Sequence, residues 1–459
     1  MYYLLYAIIT ALAIFINIKF IYFLFLVVLL RNKKKCVENT ETLFLTIAIA
    51  SVILPDNYSA EVCFLLYFCV TFLSAHSRKI KRNSNTILAG VALFLTIFSA
   101  LINKVPMTNI CFAIISFAPL ISFLLLKKNI KTLYYYKIKF IINDVFIIEL
   151  LATIFNFIAF FKSKGDDWSC GTFSRKGGAQ AQLFIIAAFL LLFYIDSYKN
   201  KSGKREDLCK AIGAMIICIS TNCWTLTLFL MVGVGMAYIS NLTYKRMLAI
   251  LIGICCIPLF GFILINYAPG SIATPLHRII TDSSYFEYRF HKAVVYKETF
   301  LVIPLQDLCF ALIGNGIGNY NSRAALICTG YYVKFFNKLF SPSVSEYTEK
   351  YILDYVRYAA LEGGSDYGSV LARPYSSILA IMGEYGYIGI FIFLVIVQKN
   401  LKTKKFETKL LIFVWLSFCL VENYFEYPKI IVLLYACLIG VYSEKTSQKN
   451  KLEVHVNDK

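Results

Sequence analysis

From Met1 to Ile265 the sequence repeats one pattern: an apolar run of membrane-crossing length, then a short break rich in Lys and Arg. The breaks fall at 31–35, 78–82, 127–139, 199–210 and 245–246, and one more at 399–409 follows the first of three later runs. A helix needs about 20 apolar residues to cross the hydrocarbon core. Only helices and closed barrels satisfy their own backbone hydrogen bonds there. Such a chain is expected to be an all-α polytopic integral membrane protein. Composition agrees: 59% of the 459 residues are hydrophobic, 16% are charged and mean hydropathy is +0.66. Soluble domains run nearer 45–50% apolar and about 25% charged. The first run lacks a basic leader and a small-residue cleavage site, so it reads as a retained helix.

One stretch breaks the pattern. Residues 267–376 cannot form a membrane span, and they hold ten basic and nine acidic residues, whereas the short breaks are strongly basic. Basic segments stay on the cytoplasmic side, so the net charge of +19 reports topology and argues against nucleic-acid binding. The large loop is then outside, which is the periplasm if the cell is Gram-negative.

The breaks pair the runs into hairpins. Two short helices are expected within 1–30, or one tilted helix. Next come hairpins 41–55/60–76 and 85–103/109–126, turning at Pro55-Asp56-Asn57 and Lys104-Val105-Pro106. Spans near 138–161, 179–197, 209–220, 221–240 and 247–266 lead to the loop, and spans near 375–397, 409–423 and 429–443 follow it. That gives about 14 transmembrane helices, or 13, with the large loop between helices 11 and 12. The chain divides into N-terminal spans 1–266, outer loop 267–376, C-terminal spans 377–443 and cytoplasmic tail 444–459. Most of the 14 cysteines lie in apolar runs and none has CxxC spacing, which argues against zinc. Cys309 and Cys328 both lie in the loop, where an oxidising compartment would permit a disulfide.

Several residues could carry chemistry, each with a plainer alternative. Arg289 opens an expected helix over 288–301, with Phe290, Ala293, Val294 and Leu301 on one side and Arg289, Lys292 and Tyr296 on another. That suits a helix lying on the membrane surface, or an ordinary loop helix with a solvated face. The run Gly314-Asn315-Gly316-Ile317-Gly318 reads as a turn needing positive φ; its spacing is not GxGxxG. Arg373, before Pro374, starts the next span and either binds an anion or snorkels to the interface. Glu384 is about three turns into that span, where a carboxylate is costly; it is a buried partner or a functional group.

Glu149 lies deep in the 138–161 span, with Asn156 two turns on along nearly the same face. It is a cavity residue or a structural partner for a neighbouring helix. Asp144, on another face near the surface, reads as solvated. Arg175 and Lys176 are loop charges or part of an anion site. His277 and His291 lie in the outer loop, where a lone histidine is usually structural. No Ser/His/Asp spacing and no DxD pair occurs.

In order, the sequence carries Gly171-Thr172-Phe173 before the eighth span, then Arg289, Pro304 and the Gly314–Gly318 turn. Gly383-Glu384-Tyr385-Gly386-Tyr387-Ile388-Gly389 follows, after the single large outer loop. This arrangement resembles the O-antigen polymerase (Wzy) and O-antigen ligase superfamily, over most of the chain by topology. The resemblance implies a metal-independent glycosyltransferase without cofactor, using undecaprenyl-pyrophosphate-linked glycans as donor and acceptor at the periplasmic face of the inner membrane. It also implies a chain-length-regulating membrane protein as partner. Loop arginines bind the pyrophosphate in that family, which assigns Arg289 and Arg175 to it here; Arg373, at the outer mouth of the next span, joins them by its position. The ligase branch carries a His-Asn pair before the Glu-x-Gly helix. Here that place reads Arg373-Pro374-Tyr375-Ser376-Ser377, which favours the polymerase branch and leaves His291 and Glu384 as the catalytic candidates. A lipid-oligosaccharide flippase is the alternative of another class. It would be expected to show internal repeats and helices broken at mid-membrane, and neither is visible in the sequence.

Overall fold

The computed structural model describes residues 2–16, 22, 24–25, 40–55, 57–76, 84–125, 134–164, 169–173, 179–200, 205–240, 281, 291–331, 339–353, 373–402 and 406–441. All regular structure among them is helical. Among the described residues, three helices are long and apolar enough to cross a membrane: Ile138–Phe160, Ala179–Lys199 and Ser377–Gln398. Shorter apolar helices lie at Tyr3–Phe15, Thr42–Ile53, Ser59–Val70, Gly90–Ile102, Met107–Ala118, Trp224–Ile239 and Pro428–Val441. The expected span near 247–266 lies outside the described residues. The chain forms two compact units, one of 1–81, 117–230 and 424–459, the other of 82–116 and 231–423.

The first unit is built round helices Ala179–Asn200 and Pro428–Val441. Leu183 to Leu190 is buried without interruption, as is every residue from Pro428 to Val441. A helix apolar on all sides belongs at the centre of a bundle. Gly440 lets these two helices meet, since a Cβ there would come within 2.5 Å of the Phe193 ring. At another level Lys139 pairs with Asp207 at 2.9 Å and bonds Ser197, which itself donates to Asp207 at 2.9 Å. That triad joins the helices Tyr134–Lys164, Ala179–Asn200 and Arg205–Ser220. Asp144, expected to be solvated, is buried at 3% exposure, because neighbouring helices cover even the first turns of this long helix.

In the second unit, helices Ser84–Ile102 and Met107–Leu125 turn where expected, with Lys104 at φ 49°. The outer loop differs from its expectation in two ways. In helix His291–Lys297 the buried residues are Lys292 and Val295, with Thr299 continuing that face. Ala293 is exposed and Val294 half-buried. The loop is also more than an aqueous connection. Residues 313–330 are all buried, and the segment packs along the first half of Ser377–Lys402. That helix is broken at Gly386 (φ 64°, ψ −164°). A Cβ at Gly386 would lie 2.5 Å from the Leu312 backbone, so glycine is required both by conformation and by contact.

The break releases backbone carbonyls, and the glycine-rich turn takes them up. The Asn315 N–H donates to the Gly383 carbonyl at 2.7 Å and the Gly316 N–H to the Glu384 carbonyl at 3.1 Å. Irregular backbone at membrane depth is tolerated where it is enclosed by protein in this way. On the outer side Leu301, Leu305, Leu308 and Leu312 form a stripe 45–87% exposed. The span itself exposes Phe391 and Leu394, so part of the loop, like the span beside it, carries an apolar surface. Cys309 and Cys328 are both free, one exposed and one buried, so the disulfide that the loop could permit is not formed.

Candidate functional site: a cation cluster above a broken helix

The broken helix positions everything in the second unit's site. Ser376 caps it, accepting from the Ile378 and Leu379 N–H groups at 3.2 and 3.4 Å. It also donates to the Cys419 carbonyl (3.0 Å) and shares a 2.6 Å hydrogen bond with Tyr296. Ser377 donates to the Glu422 carbonyl through both its N–H and its hydroxyl. The Asn321 amide donates to the Pro374 carbonyl at 2.7 Å, and the Asn423 amide to the Asn321 carbonyl at 2.9 Å. Four separated stretches, 292–296, 320–323, 373–377 and 419–423, therefore meet at one helix start.

Three charges lie there. Lys292 is buried at 4% exposure and donates to the Val421 carbonyl. Arg373 and Glu422 are half-buried and act on it electrostatically. Burial lowers the Lys292 ammonium from its ordinary value to about 8; Glu422 opposes that shift and Arg373 adds to it. A buried lysine and an arginine thus lie within electrostatic reach of each other near the start of one helix, and cations so placed suit an anionic ligand. Lys292 was legible only as a polar-face residue; its spacing with Val295 and Thr299 is the signal that marks the buried face.

Glu384 lies below, fully buried. Its carboxylate accepts from the backbone N–H groups of Gly318 (2.8 Å), Ser322 (3.2 Å) and Tyr320 (3.4 Å). Gly314, Gly316 and Gly318 have φ of 69°, 88° and 67°, as the sequence expectation required. Ser99, Asn103 and Asn109 hold the same turn by hydrogen bonds to the carbonyls of Ile313, Gly314 and Gly318. Both oxygens of Glu384 are thus engaged, which makes it a positioning residue for the turn. His291 is half-buried beside Lys292. Arg323, in the middle of the loop, is buried at 6% exposure. Arg289 and Arg175 lie outside the described residues.

The first unit has its own polar centre. Glu149 accepts from the Thr172 N–H at 3.0 Å and hydroxyl at 2.6 Å, and Asn156 donates to the Gly171 carbonyl at 2.8 Å. The expected shared face of Glu149 and Asn156 is what grips this turn. Gly171 has φ 57°, and a Cβ there would meet the Glu149 carboxylate at 2.3 Å. Lys429, missed by sequence reading, bonds the Leu54 carbonyl and sits 4.1 Å from the Phe173 ring centroid. A lysine one residue into an apolar run was the available signal. The gripped turn leads directly to 174–178 and Arg175, so Glu149 is placed to set the base of that loop. Glu149→Gln is expected to weaken the hold on this turn by about 1.5–3 kcal/mol, through loss of one strong hydrogen bond; thermal melting of the solubilised protein checks it.

Among the described residues, no cluster of His, Cys, Asp or Glu could hold a metal ion. No protein-family model matches the chain, and neither a curated protein nor a solved structure matches it.

Proposed function

We propose that the chain is a polysaccharide polymerase, a metal-independent glycosyltransferase joining undecaprenyl-pyrophosphate-linked repeat units at the periplasmic face of the inner membrane. On this reading about 14 helices cross the membrane and the 267–376 loop faces outward. The observation that supports the reading is a buried lysine, Lys292, held on the Val421 carbonyl within electrostatic reach of Arg373 at the start of a span. The leaving group of such a transfer is a lipid pyrophosphate. Cations placed where its charge develops stabilise the transition state, and the Arg373 fork suits two phosphate oxygens. Arg289 and Arg175 are assigned to the same anion by resemblance. The acceptor hydroxyl needs a base. With Glu384 engaged by three backbone N–H groups, His291 is the better placed candidate.

The break at Gly386 favours a second reading, a lipid-oligosaccharide flippase, since broken helices build transport sites. Gene deletion with surface glycan resolved on a gel separates the classes. A polymerase leaves single repeat units on the lipopolysaccharide core. A flippase strands lipid-linked units in the cytoplasm, and a ligase leaves polymer on its lipid carrier.

A further inference from the structure

After Glu298 and before Arg323 the loop carries a single charged residue, Asp307. Hydrogen bonds and contacts fix how this stretch runs beside the span Ser377–Lys402. Tyr296 shares a 2.6 Å hydrogen bond with Ser376, and the Phe300 carbonyl accepts from the Tyr387 hydroxyl. From 296 to 300 the partners therefore advance along the span. Leu312 then packs on Gly386, and the Asn315 N–H donates to the Gly383 carbonyl at 2.7 Å. From 312 to 315 the partners move back. The chain thus follows the span, turns, and returns beside it, with residues 301–311 as the tip of the hairpin.

The tip is closed in its backbone and apolar on its outer side. Helix Ile303–Gln306 stops at Asp307, whose extended backbone starts helix Leu308–Ile313. Asp307 accepts from the Cys309 and Phe310 N–H groups at 2.7 and 3.3 Å, and from the Tyr347 hydroxyl at 2.5 Å. The one charge is therefore engaged within the protein. Leu305 and Leu308, on either side of it, are 87% and 72% exposed. Beside them the span exposes Ile388, Phe391 and Leu394. In a bilayer the unburied side of such a helix meets lipid.

We infer that residues 301–312 are a re-entrant element whose leucine stripe is seated in the lipid of the adjoining leaflet. The stripe continues the exposed face of the span, because the Tyr387 hydroxyl and Gly386 join the two. Backbone that enters a membrane must be hydrogen-bonded or enclosed. The Asp307 cap meets that need at the turn, and the buried stretch 313–330 meets it on the return. Contiguous apolar patches on a protein surface mark interaction sites, and this one has the composition of a membrane-seated surface. Helix runs without interruption over 291–306, so the leaflet would hold the far end of the helix that carries Lys292. The inference stands apart from the polymerase reading.

The test is photo-cross-linking of the full-length chain in phosphatidylcholine vesicles, with p-benzoylphenylalanine in place of Leu305, read by mass spectrometry. An adduct of one phosphatidylcholine is expected, in a yield comparable with that of the same probe in place of Phe391. In place of Lys297, exposed at the other end of the same helix, the probe is expected to lose most of that adduct. Thermal melting checks folding, and Leu308 takes the probe if the first variant unfolds. A cross-linked dimer in place of the lipid adduct overturns the inference and makes a second copy the occupant. A link within the chain overturns it equally and makes another segment the cover. Lipid adduct at Phe391 without any at Leu305 and Leu308, none at any of the three, or equal yields at Lys297 and Leu305 each overturn it as well.

Discussion

Glu384→Ala is expected to remove most of the protein from the membrane. The substitution strips the acceptor from three backbone N–H groups, of Gly318, Tyr320 and Ser322. Each buried donor left unpaired costs about 1–3 kcal/mol, and a whole domain is stable by only about 5–15 kcal/mol. Water cannot substitute, because residues 313–330 are buried throughout. Glu384→Gln keeps one acceptor oxygen but turns an NH₂ group towards N–H donors, so it should lower the level less and still visibly. Immunoblots of membranes and melting of detergent-solubilised protein read both. If Glu384→Gln accumulates and melts as wild type while making no polymer, Glu384 acts in catalysis and the anchoring assignment is wrong.

Arg373→Ala, by contrast, should leave protein level near normal and nearly abolish polymer. Arg373 is half-buried in an extended segment ahead of the Ser376 cap, so no helix depends on it. Removing one donor to a developing oxyanion costs about 2.7–4 kcal/mol, on the order of 10²–10³ in rate. Arg373→Lys keeps the charge and loses the fork, so it should recover only part of the polymer. Arg289→Ala should behave alike if both arginines hold one pyrophosphate, whose charge exceeds what one cation offsets. Arg323 is not a suitable silent control, since it is buried; Lys297, exposed on the same stretch, serves instead. Long polymer from a normally accumulating Arg373→Ala protein would end the pyrophosphate assignment.

The helices were legible because apolar runs and basic breaks answer to the bilayer alone. The turn at Lys104-Val105-Pro106 and the positive φ of Gly314, Gly316 and Gly318 follow from local chemistry, so they too could be read. The shared face of Glu149 and Asn156 came from helical periodicity. What escaped depended on contacts between distant stretches. Lys292 looks like a surface lysine until Val421 and Glu422, about 130 residues later, close over it. Glu384 looks like a catalytic acid until the Gly314–Ser322 turn supplies its donors. The break at Gly386 had no local mark, because glycine is common in membrane helices and only the approach of Leu312 requires it here. Asp144 was misread because depth along a helix was taken for exposure.

The buried Pro428–Val441 helix has a consequence for how the protein is made. It completes a bundle whose other helices all come from residues before 231. During synthesis those helices enter the bilayer with their middle unfilled: Phe193 lacks the Gly440 surface, and the Leu54 carbonyl lacks Lys429. The first half of the chain therefore waits, through translation of some two hundred residues, for a plug that arrives almost last. Until then its assembly relies on lipid, or on a membrane chaperone, to occupy the place of that final helix.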